Sequence, residues 1–302
     1  MNIPTDLAPI LIFTYKRYDT LYHTISALQK NILAKESCLF IFSDSPKTSE
    51  DLDKVIEVRK FVKNISGFKE IVIHEADENT GLANSIINGV SQVINNYGKA
   101  IVLEDDLVTS ENFIMYMNQA LDYYLYNEKI FSISGFTMPL NILNRQDIYF
   151  TMRASSWGWA TWKDRWNVID WTVHDYLDFK SNSKDRVLFN KMGSDLSFML
   201  DRQMAGKINS WAIRWCYHQF KHGLYTVYPA TSKVLNIGLE TPEATHTNER
   251  YNRFKTTLDT SDCTVFNFHT DIKLDEKIIK QFVRPYSVPE RIKYKILNTL
   301  FS

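Results

Sequence analysis

The sequence predicts a doubly wound α/β domain built on a mostly parallel sheet, with an added subregion and a helical tail at its C-terminal end. Three observations predict it. Short, uniformly apolar segments recur through the first third of the chain. Segments of helical spacing, about 12–16 residues long, separate them, a rhythm that goes with parallel strands covered on both faces. Right-handed crossovers then leave little choice of topology.

The elements follow in order. Residues 8–14 are apolar and rich in branched side chains and read as a buried strand. Residues 19–31 carry Leu21, Ile25 and Leu28 at helical spacing. Residues 39–42 form a second strand that ends before Asp44 and Pro46, and residues 49–63 a second helix marked by Leu52, Val55, Ile56 and Val62. Residues 71–73 are a third strand. Residues 82–96 are a third helix, and 100–103 a fourth strand running straight into Glu104, Asp105 and Asp106. Beyond residue 130 the pattern loosens. Strands are expected at 131–134, 148–153 and 225–229, helices at 185–204 and 210–222, and a tryptophan-dense stretch at 155–171.

At 302 residues, with roughly 150 per domain, the chain is one large unit or two closely joined ones. No linker or internal repeat interrupts it. We therefore expect one half at 1–130, a second half of the same domain at 131–260, and a tail at 261–302. With 35 basic and 35 acidic residues the net charge is zero, which argues against a dedicated nucleic-acid binder. The 44% apolar and 23% charged composition excludes a disordered or fibrous chain. Cys38, Cys216 and Cys263 are scattered and imply neither a disulfide framework nor a cysteine zinc site. The N-terminus lacks the marks of a secretory leader, and no apolar run approaches the roughly 18 residues of a membrane span. A cytoplasmic protein is expected, or one peripheral to the inner membrane face. From Lys277 onward six cations stand against Glu290, interleaved with apolar residues. Such a basic amphipathic segment lies either on an anionic membrane or against the protein body.

In an open parallel sheet, ligands bind beyond the carboxyl ends of the strands, where strand order reverses. Past those ends lie Thr14 and Arg17, Asp44, the turn at Gly81 with Asn84 just after it, and the triplet Glu104-Asp105-Asp106. Three adjacent carboxylates repel one another unless a cation or hydrogen-bond donors neutralise them. Oxygen ligands suit Mg2+ or Mn2+, which usually coordinate substrate phosphates as well. The alternative is that the acids open a helix. No phosphate-loop, dinucleotide or zinc-protease motif occurs. His218 and His222 have zinc-clamp spacing without a third ligand, and a solvated helix face is the expected reading. Five of the seven tryptophans fall within residues 157–171. Indole faces bind sugar rings, so Trp157 and Trp159 are candidate substrate contacts, and Gly158 would let a ligand come close to the backbone. Trp162, Trp166 and Trp171 read better as core.

The order of these motifs resembles the GT-A glycosyltransferases: Tyr15-Lys16-Arg17, Asp44, the 79–84 turn, Glu104-Asp105-Asp106, the Trp-Gly-Trp-Ala-Thr-Trp run, then Asn236-Ile237-Gly238 and His246. Within them it is similar to bacterial family 2-like enzymes and to the N-acetylglucosaminyltransferase I branch. The resemblance implies transfer of a sugar from a nucleoside diphosphate donor, a UDP-sugar, to a glycan or lipid-linked glycan acceptor, with inversion, in surface polysaccharide synthesis. Asp44 would contact the base, Arg17 the nucleotide and Asp105 the ribose or donor sugar. Asp106 would hold Mn2+ or Mg2+, with His246 near the metal or diphosphate. Related enzymes often carry an acid in the segment matching residues 209–215, where this chain has none. Asp195 and Asp201 are the nearest candidates for the general base. A sugar-phosphate nucleotidyltransferase and a non-catalytic glycan-binding protein are the other readings.

Overall fold

The computed structural model describes residues 6–141, 147–238 and 251–300, and the α/β class is the expected one. The chain first alternates through β1 (Ile10–Thr14), α1 (Tyr18–Gln29), β2 (Cys38–Ser43), α2 (Leu52–Val62), β3 (Glu70–Glu75), α3 (Leu82–Tyr97) and β4 (Lys99–Glu104). The four strands are parallel and ordered β3-β2-β1-β4. From β1 the chain steps outward to β2 and β3, then returns to place β4 on the other side. The gap beyond the ends of β1 and β4 is therefore the switch point of the sheet.

Side-chain alternation builds two cores from the same strands. Ile10, Ile12, Leu39, Ile41, Ile101 and Leu103 face one side, with Leu21, Ile25 and Leu28 of α1 and Val58 and Val62 of α2. Leu11, Phe13, Phe40, Phe42, Ala100 and Val102 face the other, with Ile86 and Val90 of α3. Both faces are dry, which accounts for the uninterrupted apolar runs in the sequence.

After Asp106 the chain forms β5 (Leu107–Thr109) and α4 (Phe113–Tyr123), neither of which the sequence pattern had assigned. It continues through β6 (Ile130–Ser134), β7 (Ile148–Thr151), β8 (Trp159–Trp162), α5 (Lys163–Trp166), α6 (Tyr176–Ser181), α7 (Ser183–Phe189), α8 (Leu196–Met204), α9 (Trp211–Lys221), β9 (Tyr225–Pro229) and β10 (Val234–Asn236). The helix expected at 185–204 is two helices, because the chain breaks at Gly193. The tail carries α10 (Glu276–Val283) and α11 (Val288–Leu300). No helix among the described residues is long and apolar enough to cross a membrane.

The first sheet grows to eight strands in the order β3-β2-β1-β4-β8-β6-β9-β7. β8 runs antiparallel to β4 and β6, and β7 closes the edge antiparallel to β9. β5 and β10 make a separate antiparallel pair, with Asn236 opposite Leu107. The tail packs on this half of the sheet, where Phe282 of α10 meets the Tyr228 ring with centroids 5.1 Å apart.

The tryptophan stretch serves mainly as core. Trp159 is 1% exposed. Its ring lies 5.5 Å from Trp166, 5.1 Å from Trp211 and 4.3 Å from Trp215, centroid to centroid. Trp159 thus offers no face to a sugar, which corrects the expectation that it contacts substrate. Trp162 is equally buried and donates its indole N–H to the Leu121 carbonyl at 3.1 Å, and Trp166 donates to Ser91 Oγ at 2.9 Å. Trp171 packs half-buried against Trp166. Trp159→Ala should lower unfolding stability by about 3–5 kcal/mol in urea titration. A loss near zero would place the ring on a ligand-facing surface instead.

Candidate functional site

The residues at the switch point are brought together by strand register. Phe13 pairs with Glu104, so β1 and β4 end side by side. One residue beyond β1, the Tyr15 amide reaches Asp105 Oδ2 at 3.4 Å, and Thr14 Oγ1 donates to the same oxygen at 2.9 Å. Arg17, preceding α1, then turns its guanidinium onto both neighbouring acids. It pairs with Asp105 and lies 2.9 Å from Asp106 Oδ2. Asp105 and Asp106 are both buried.

β10 closes the far side. Ile237 donates its amide to the Asp106 carbonyl at 2.9 Å, and Asn236 Nδ2 is 3.4 Å from Asp106 Oδ1. Gly238 comes so close that a β-carbon there would collide with the Asp106 carboxylate and with Arg17. Residues 105–106 and 236–238, some 130 apart in sequence, thus form one wall. His246, expected near the metal or diphosphate, lies outside the described residues.

The electrostatics of the triplet are unbalanced. Three carboxylates face one guanidinium, a formal −2. Burial, reinforced by the charges of Asp106 and Asp105, pushes the Glu104 carboxyl up to about 8. Burial likewise raises Asp106 to about 6, against the opposing pull of Arg17. A hard divalent cation fits this set, since its ligands would be carboxylate oxygens short of countercharge. Elsewhere Asp170, His174 and Asp175 bring ligand atoms within 4.8 Å of one another. There Asp170 is occupied by the amides of Thr172 and His174 and Asp175 by Lys221.

Asp44 is anchored in a second way. Its Oδ1 accepts from the amides of Ser45 at 2.9 Å and Thr80 at 3.1 Å, and Oδ2 from that of Gly81 at 3.0 Å. These bonds pin the turn before α3 to the end of β2. Asn79 adds a bond to the Ser45 carbonyl at 2.7 Å. Asn84 is exposed and bonds back to the Thr80 carbonyl at 3.0 Å.

A cavity of about 330 Å3 is lined by Trp157, Phe254, Arg153, Asp195, Arg253 and Tyr286, among others. Trp157 is half-buried, edge-on to Phe136 and Phe254. Gly158 was expected to admit a ligand, but its side-chain direction is filled by Val234 of β10. That contact joins the cavity wall to the strand that flanks Asp106. Arg153 makes a two-point ion pair with Asp195, at 3.0 Å each, and sits 3.7 Å above the Tyr286 ring. Nothing in the local sequence signals this assembly, since Arg153, Asp195 and Tyr286 are far apart along the chain.

The two acids expected to supply a base are placed otherwise. Burial would raise the Asp195 carboxyl, but the Arg153 guanidinium outweighs it and holds the group below the usual carboxylate range. Asp201 is bound by Arg186 at 2.9 and 2.7 Å and by the Tyr176 hydroxyl at 3.1 Å; the Arg186 bonds hold its carboxyl low. A carboxylate so paired is a weak proton acceptor at neutral pH. Both are structural anchors. His218 is buried against Phe131 rather than solvated, and burial lowers its imidazole to about 4.

No protein-family model and no curated protein sequence matches the chain. Solved structures do resemble it. One is the mannosyltransferase PcManGT from Pyrobaculum calidifontis in complex with GDP-Man and Mn2+, at 10% identity over 53% of this chain and 46% of that one, TM-score 0.38. Another is S. aureus TarS, residues 1–349, at 8% identity over 77% and 61%, TM-score 0.43. A third is apo UDP-glucose pyrophosphorylase, at 11% identity over 76% and 93%, TM-score 0.39. The chain spans about half the length of the first. Likeness at this level transfers no residue role.

The Glu104 carboxyl, at about 8 against an ordinary 4.5, keeps its proton longer folded than unfolded. Stability of the metal-free protein should therefore fall as pH rises between those values. Glu104→Gln should flatten that dependence in calorimetry and raise stability at the alkaline end by on the order of 2 kcal/mol. A variant with the wild-type slope would refute this origin.

Proposed function

We propose that the protein is a metal-dependent glycosyltransferase. It moves a hexosyl or N-acetylhexosaminyl group from a nucleoside diphosphate sugar, a UDP-sugar, to a glycan or lipid-linked glycan acceptor in bacterial surface polysaccharide synthesis. The observation that carries this reading is the carboxylate triplet at the switch point, short of countercharge and walled in by Arg17 and Asn236–Gly238. An enzyme that handles a nucleoside diphosphate needs such a place to gather positive charge opposite the diphosphate.

Asp106, with Glu104 and Asp105 beside it, would hold Mn2+ or Mg2+, which when bound neutralises the charge that develops on the departing diphosphate. Thr14 and Arg17 fix Asp105, which would contact the ribose or donor sugar. Asp44 holds the 79–81 turn and would contact the nucleobase. The cavity at Trp157 suits the acceptor: an indole edge, a serine pair and a fixed guanidinium combine apolar and polar contacts for a sugar. The acceptor hydroxyl would give up its proton to solvent or a base as it attacks the anomeric carbon, and the diphosphate would leave with the electron pair of the broken bond, so a single displacement would invert configuration.

Calorimetry with UDP, with and without Mn2+, tests the reading. UDP should bind in a metal-dependent manner, and Asp106→Asn should weaken that binding about 100-fold. Preference for a nucleoside triphosphate would point to nucleotidyl transfer instead. Absence of any nucleotide binding would leave only a glycan-binding role.

A further inference from the structure

We infer that the outward face of α11 is a docking surface for an anionic phospholipid membrane. A surface helix ordinarily turns its apolar stripe toward the core. α11 does the reverse and buries none of its residues. At about 100° per residue, Val288, Ile292, Ile296 and Leu300 follow one another along a single stripe. They are 51%, 53%, 51% and 69% exposed. The opposite side is held by polar bonds. Tyr251 and Asn298 exchange two hydrogen bonds of 2.8 and 3.1 Å. On that same side, seven residues earlier, Arg291 reaches Ser194 Oγ at 3.4 Å.

Charge selects the occupant. Helical spacing puts Lys295 on one edge of the stripe, with Arg291 a step further round, and Lys293 on the other edge. Lys277, Lys280 and Arg284 of the preceding segment are exposed, and Arg284 and Lys293 both pair with Glu290. From Lys277 onward the chain carries +5 while the whole protein carries zero, so the remainder is −5. Three of those six cations, Arg291, Lys293 and Lys295, stand on α11 itself, the helix that carries the uncovered apolar stripe. A groove of about 500 Å3 under the edge of α11 is lined by Arg253, Arg291 and Lys295 together with Val288 and Ile292. Among the described residues no carboxylate pairs with any of these three cations, and the buried Arg253 Nε has no hydrogen-bond partner. Cations flanking an apolar stripe match a headgroup layer, with phosphates against the guanidinium and ammonium groups and acyl chains along the stripe. A soluble acidic partner would leave the stripe uncovered, and an apolar protein face would leave the cations unpaired.

The surface is coupled to the cavity. Arg253 lines both, and Tyr286, between α10 and α11, forms the cavity wall under Arg153. Docking would hold the cavity at the membrane plane, within reach of a sugar carried on a lipid phosphate. That consequence rests on the transferase reading, whereas the docking itself does not.

Co-sedimentation of the full chain with lipid vesicles, without nucleotide or metal, tests the proposal separately from sugar transfer. The protein should bind vesicles of equimolar phosphatidylcholine and phosphatidylglycerol, bind phosphatidylcholine alone far less, and release as salt rises. Lys293→Glu/Lys295→Glu and, independently, Ile292→Ser/Ile296→Ser should each weaken binding about tenfold or more. Because these residues are exposed, both variants should keep the wild-type unfolding midpoint. Equal sedimentation with the two vesicle types, or wild-type binding by both variants, would overturn the proposal. So would a concentration-dependent dimer that the isoleucine variant abolishes while vesicles are ignored.

Discussion

The meeting of Arg17 with the acids beyond β4 is the constraint around which the rest is arranged. Three consecutive carboxylates at a strand end are unfavourable in isolation, and burial makes them more so. The fold tolerates them because β1 delivers Arg17, Thr14 and the Tyr15 amide to the same point, while β10 returns across about 130 residues to supply Asn236 and Gly238. The parallel register of β1 and β4 and the antiparallel register of β5 and β10 both converge there. One guanidinium still leaves the triplet short of positive charge. A further cation placed there would lower the energy.

How far the sequence shows this depends on the range of each interaction. β1 to β4 and α1 to α3 are legible because their signal is local: apolar runs for strands dry on both faces, 3.6-residue spacing for the helices. The triplet and Asp44 are legible because strand ends put them at one edge. Trp159 is not. Its neighbours Trp211 and Trp215 come from a helix some 50 residues away, and a cluster along the sequence says nothing of what closes over it. Asp195 and Asp201 mislead for the same reason. Their character is decided by Arg153 and Arg186, partners that spacing does not reveal. β8 goes unread because four residues with two tryptophans carry no clear period, and α4 because it is apolar on nearly every side.

The two halves of the chain differ in what they present. The parallel strands β1 to β4 carry charged side chains and backbone donors at their ends. The later strands and the tail present aromatic rings and a fixed ion pair around a cavity. Val234 of β10 fills the side-chain direction of Gly158, next in sequence to the cavity residue Trp157, so the chain beside the cavity packs on the strand that also flanks Asp106.

The direction of β8 has a further consequence. Because it runs against its neighbours, its beginning lies at the rim where the parallel strands have their ends. Residues 154–158 therefore enter the rim before the strand is laid down, while the pairing of 159–162 with β4 and β6 continues behind them. Segments exchanged between homologous chains at 154–157 would recast what this rim admits and leave the ladder untouched. Diversification of such proteins is expected to concentrate there, upstream of a reversed strand instead of downstream of a forward one.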